Sequence, residues 1–131
     1  MDYTQWARDT FKDDIYATEV TGIVIEKAVD GSSVCSLEIT ENHLNADRHV
    51  MGGAIFTLAD LTSAVAANVG ELTTVSTNSS ISFLGVAKGK KLIAEGNTIK
   101  RGKSITTVSV DIYDELGTKV AYAVFTGMKV R

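Results

Sequence analysis

Proline is absent from this 131-residue chain, and with it any proline-rich linker. Cysteine occurs once, at Cys35, which excludes an internal disulfide framework and a cysteine-rich zinc site. Histidine occurs twice, at His43 and His49, too few and too isolated for a metal set. Basic residues do not outnumber acidic ones: Lys and Arg total 13, Asp and Glu 16, for a net charge of −3. That balance lacks the basic footprint of a nucleic-acid binder. No run of 18 apolar residues is free of polar breaks, so no membrane span is expected. The first residues, MDYTQWARDTFKDD, are polar and acidic, unlike a signal peptide, and the expected location is the cytoplasm. No fixed-period repeat occurs.

What is present is a 44% hydrophobic chain of a length that suits one domain, residues 1–131. Such a chain buries roughly two-thirds of its unfolded surface and needs no metal or disulfide staple. Residues 4–16 read as a short amphipathic helix on Trp6, Phe11 and Ile15. Residues 18–29 are β-branched and read as a strand. Asp30-Gly31 is a turn signal, and residues 33–40 alternate as the second arm of a hairpin, with Cys35 in the core. Residues 41–51 read as a loop. Residues 52–70 form the one long helix, its stripe running through Ile55, Leu58, Leu61, Val65 and Val69. Strands follow at 73–84, 91–100, 104–114 and 119–130. The short links between them favour antiparallel neighbours. The class is α+β: five to six antiparallel strands with one central helix packed on a sheet face.

The helix carries the functional information. Asp60 is its only charged residue, so it is expected to be buried on more than one side. On a helical wheel Asp60 stands opposite the apolar stripe, among Phe56, Ser63, Ala64 and Ala67. Those mostly small neighbours suit the close approach of another chain. The helix also begins without a side-chain cap, at Met51-Gly52-Gly53. Its first N–H groups are left open, and they suit a polarised oxygen such as a carbonyl becoming an oxyanion. By themselves these residues also fit a solvated or hydrogen-bonded Asp60 and an ordinary loop-to-helix transition at Gly52-Gly53. Gly52 and Asp60 lie about 12 Å apart along the axis, at ~1.5 Å per residue, so one carbonyl does not reach both on one helix. Two helices related by a two-fold would bring one chain's N–H to the other's carboxylate, which predicts a homodimer with two interfacial sites.

The segment NADRHVMGGAIFTLAD (45–60) resembles the active-site region of hotdog-fold acyl-CoA thioesterases of the phenylacetate-degradation type. The resemblance continues through VSTNSSISFL (75–84), AKGKKLIAEG (87–96), the turn Arg101-Gly102-Lys103 and DELGTKVAYAVFTGMKV (114–130). It implies a long helix wrapped by a curved antiparallel sheet, assembled as dimers or dimers of dimers. It also implies hydrolysis of acyl-CoA, with no cofactor beyond the CoA of the substrate. Asp60 takes the place of the catalytic carboxylate, as general base or nucleophile. Gly52 matches the glycine whose N–H polarises the thioester carbonyl, and Asn45 the loop asparagine that helps hold the carbonyl or the water. The implied substrate-binding set is Met51, Gly53, Ser76, Thr77, Arg101, Gly102 and Lys103, the last three as the turn that meets the CoA phosphates. Two positions depart from the family pattern. Met51 stands where the family has histidine, and Val86 where it has proline. His49 is expected to point elsewhere and is not counted as a substitute. The missing histidine leaves a second reading open, a non-catalytic acyl-CoA-binding or regulatory protein. A hydratase on the same fold pairs a carboxylate with a histidine, and neither histidine here stands in a matching place.

Overall fold

The computed structural model describes residues 1–131. Its elements run α1 (Thr4–Phe11), a π-helical turn (Tyr16–Thr21), β1 (Val24–Val29), β2 (Ser32–Glu38), a 3₁₀ turn (Glu41–His43), α2 (Gly52–Ala67), β3 (Thr74–Phe83), β4 (Lys91–Arg101), β5 (Ile105–Asp114) and β6 (Lys119–Lys129). The six strands form one antiparallel sheet in the order β1-β2-β4-β5-β6-β3.

Helix α2 lies across the central strands of this sheet. Its inward stripe, Ile55, Leu58, Leu61 and Val65, meets alternate strand residues such as Leu37, Leu92, Val110 and Ile112 in one core. Leu58 and Val65 are fully buried, each worth about 1.5–3 kcal/mol relative to exposure. The helix approaches β4 closely at Gly96. A Cβ there would stand 2.8 Å from Ser33 Oγ and 3.1 Å from Thr62 Cγ2. The Ser33 hydroxyl in turn donates to the Thr62 carbonyl at 2.7 Å, tying sheet to helix. Cys35 is buried in this core, and burial, set against a Thr62 hydrogen bond, pushes its thiol up to about 12.

Three expectations change. The first helix ends at Phe11, not residue 16. The strand expected at 18–29 begins only at Val24, because residues 16–21 wind into a π-helical turn. The Thr18 hydroxyl donates to the Asp14 carbonyl at 2.9 Å, and His43 Nε2 lies 2.6 Å from the Thr21 carbonyl oxygen. These partners, one of them 22 residues away, outweigh the strand preference of a β-branched run. The long helix stops at Ala67, before Val69. Asn68 ends it. Its amide donates to the Ala64 and Thr74 carbonyls, while its oxygen accepts the Thr73 and Thr74 N–H groups.

Short links do make neighbours of β1 and β2, β4 and β5, and β5 and β6. The other two pairings, β2 with β4 and β3 with β6, join segments far apart in the chain. The two sheet edges differ. The outer edge of β1 is covered: Tyr3 N–H donates to the Ala28 carbonyl, and Arg8 Nε donates to the Ile25 carbonyl. The outer edge of β3 is bare, and Val75 and Phe83 on this strand are exposed.

Candidate active site

The loop before α2 is a tight reversal. Asn45 N–H donates to the His49 carbonyl at 2.7 Å, Arg48 N–H to the Asn45 carbonyl at 3.0 Å, and Leu44 bridges Val50. Arg48 adopts φ 64°, the left-handed position such a reversal demands and the sole non-glycine there. The Asn45 side-chain oxygen accepts the N–H groups of Asp47 (2.9 Å) and His49 (3.1 Å). With the oxygen occupied by the loop, the amide Nδ2 is the end of Asn45 left for a ligand.

Met51 N–H then donates to the His43 carbonyl, and α2 starts with no side-chain cap. The N–H groups of Ala54 and Ile55 both reach back to the Met51 carbonyl. Those of Gly52 and Gly53 have no acceptor in the chain. Gly52 packs against the Phe83 ring: a Cβ there would lie 3.2 Å from Phe83 Cζ. A cavity of about 430 Å³ opens at this helix end. Asn45, His49 and Gly52 line it together with apolar Ile55, Phe83 and Leu84.

Asp60 lies two turns further on and opens into a different cavity, of about 230 Å³, with Ser76, Ala64, Val108 and Phe125. The residue is exposed on the protomer, yet no group in the chain donates a hydrogen bond to its carboxylate. The cavity walls partly desolvate the carboxyl, and this, with the negative charge of Asp14, raises its pKa above the usual aspartate value. Asp14 is itself raised, by burial and by Asp13.

The expected residues therefore separate. Asn45 and Gly52 meet at the helix start, while Asp60 and Ser76 meet midway along. Met51 and Gly53 line a third hollow, of about 310 Å³, against Tyr16, Val20 and His43. Thr77 sits at a bulge in β3, its hydroxyl donating to the Thr126 carbonyl at 3.2 Å, and it lines none of these cavities. Arg101, Gly102 and Lys103 line a polar cleft of about 370 Å³ beyond the end of α2. This cleft and the Asp60 cavity share Ala67, Thr74 and Thr106 as walls.

Two residues escaped the sequence reading. Lys129 lines the cleft with Arg101 and Lys103, its N–H bonded to the Ser104 carbonyl at 2.8 Å. Its position beside the turn comes from the β5–β6 pairing, which local pattern does not reveal. His49 faces the cavity of Gly52 and Asn45, contrary to the expectation that it points away. The Asx turn made by Asn45 was the available signal, because it folds residue 49 back onto residue 45.

The thioesterase superfamily profile matches residues 48–121, more than half of the chain. The chain belongs to the thioesterase superfamily. That membership places it among thioester hydrolases. The fold agrees with the PaaI protein of the Escherichia coli phenylacetic acid degradation operon, at TM-score 0.90 and 22% identity over 98% of this chain and 94% of that one. A Streptococcus pneumoniae thioesterase solved with coenzyme A superposes at TM-score 0.78 and 27% identity, over 92% of this chain and 96% of the other. In sequence the chain is 29% identical to human acyl-coenzyme A thioesterase 13 across 75% of its own length and 72% of the relative's. An Archaeoglobus fulgidus putative esterase is also 29% identical, over 77% of this chain, and the match spans about two-thirds (66%) of that relative. The architecture is thus the hotdog fold: a central helix held in a curved antiparallel sheet.

Proposed function

We propose that this thioesterase-superfamily chain hydrolyses acyl-CoA thioesters at sites shared between two copies of itself. The observation that carries the reading is the division of one helix. Its open Gly52 N–H serves one cavity, and its unpartnered carboxylate, Asp60, serves another. A two-fold through antiparallel α2 helices brings the two halves together. The bare edge of β3 supplies the surface on which a second copy extends the sheet, as unpaired strand edges do.

In this site the thioester carbonyl rests on the Gly52 N–H and the Asn45 amide of one protomer. Donors placed where oxyanion charge develops are worth about 3 kcal/mol each. Asp60 of the other protomer takes a proton from the attacking water. Its raised pKa makes it a stronger base than a solvated aspartate. Ser76, on the wall beside Asp60, steadies that water. Ile55, Phe83 and Leu84 receive a small, aromatic or medium-length acyl group. Three cations, Arg101, Lys103 and Lys129, face a single carboxylate, Glu71, in the cleft that continues from the Asp60 cavity, and they meet the CoA phosphates. The assembly is a dimer or a dimer of dimers. An acyl-CoA substrate and an unpaired buried thiol both fit the cytoplasm.

An acyl-CoA panel with free-thiol detection tests the reading. Wild-type hydrolysis is expected to exceed that of Asp60→Asn by about 100-fold or more. Equal rates would remove the claim. The turn of Met51 into a separate hollow favours one other reading, acyl-CoA binding without hydrolysis. Tight binding with no turnover would select it.

A further inference from the structure

His49 is the only titratable residue lining the cavity at the start of α2. The other walls are Asn45, two glycines and apolar residues. Its backbone is fixed on both sides by Asn45: the His49 N–H donates to the Asn45 side chain at 3.1 Å, and its carbonyl accepts the Asn45 N–H at 2.7 Å. The imidazole has a charged neighbour of its own. His49 Nδ1 lies 3.3 Å from Asp47 Oδ2. That contact pairs the imidazole with a carboxylate without closing a hydrogen bond, and it leaves Nε2 open for chemistry. The loop thus ties an amide that binds a carbonyl and an imidazole that moves a proton into one unit beside the open N–H of Gly52.

We propose that His49, paired with the charge of Asp47, is the proton donor to the departing thiolate. The proposal rests on the thioesterase reading above and deepens it. Water attacks the carbonyl carbon and yields its proton to Asp60 of the other protomer. The tetrahedral intermediate collapses, the C–S bond breaks, and its electron pair goes to sulfur. The imidazolium Nε2–H passes its proton to that sulfur. Free acid and CoA thiol leave, and Asp60 and His49 restore their protonation by exchange with solvent. The role suits the position: the sulfur is bonded to the same carbon whose oxygen rests on Gly52 and Asn45.

The test varies the leaving group. An alkanethiolate such as that of CoA leaves slowly without a proton, whereas a thiophenolate leaves readily. His49→Gln is measured on an acyl-CoA and on the thiophenyl ester of the same acid. The expected result is a fall in kcat of about 100-fold on the acyl-CoA and little change on the thiophenyl ester. Asp47→Asn, a change at an exposed side chain, is expected to give the same pattern with a smaller loss. An unchanged kcat on acyl-CoA in both variants overturns the proposal, and so does an equal loss on both esters, which marks a merely structural role. Failure of the thioesterase reading is distinct, because then wild type and Asp60→Asn turn over both esters equally.

Discussion

Gly52 and Asp60 ride the same helix, eight residues apart, and open into different cavities. A single protomer therefore does not bring its own amide and its own carboxylate to one thioester. This has a consequence for mixed assemblies. Asp60→Asn and Gly52→Val are each expected to be inactive. When the two are co-assembled at random, half of the dimers are mixed. Each mixed dimer holds one site with both wild-type groups, so about one quarter of wild-type activity should return. Co-expression with two affinity tags and a thiol-release assay measures it. No recovery would mean that each site lies within one chain.

Asp60 links activity to stability in opposite directions. Partial desolvation and Asp14 raise its pKa, so the fold favours the protonated form. Its ionisation then costs stability at pH 7, above the raised pKa, and the cost vanishes as pH falls and the group is protonated in folded and unfolded states alike. Asp60→Asn should raise Tm at pH 7 while abolishing hydrolysis, and the gain in Tm should shrink below about pH 4. Thermal melts of the two proteins at both pH values check the sign.

Gly52 and Gly53 look interchangeable in sequence and are not so in space. A Cβ at Gly53 meets nothing within 4 Å, so Gly53→Ala should stabilise the helix by about 0.5–1 kcal/mol. A Cβ at Gly52 crowds the Phe83 ring at 3.2 Å. Phe83 is more than half exposed, so the ring can swing aside at small cost in stability. It does so at the cavity wall, and Gly52→Ala should lose activity by about tenfold or more. Urea unfolding and steady-state kinetics on the pair separate the two effects.

Asp114 holds the loop that carries Val86 and Ala87 at the rim of the first cavity. Burial acts to raise its pKa, but N–H groups of Lys88, Thr118 and Gly89 outweigh this and hold the carboxyl well below the usual range. The stability it contributes is present above the ordinary aspartate pKa and is lost as pH falls through the depressed one. Asp114→Asn should lower the urea midpoint at pH 7, and the deficit should narrow in acid below about pH 4. A deficit independent of pH would mean that the charge is not what those N–H groups recognise.

Much of this was written locally. Alternation marked β2, β5 and β6, and the lone charge of an otherwise apolar helix singled out Asp60. The uncapped Met51-Gly52-Gly53 start is a property of three adjacent residues, and it survives intact in the fold. Other features rest on partners remote in the chain. Asn68 ends α2 by bonding Thr73 and Thr74, and the π-helical turn is held by His43.

The sequence by itself determined most element types, the helix with its open amides and the single carboxylate on it, because side-chain periodicity and capping act within a few residues. Tertiary structure decided which strands pair, that β3 is left as a bare edge, and that Lys129 joins the cationic turn. Those outcomes depend on where distant backbone donors and acceptors find one another, and no local pattern encodes that.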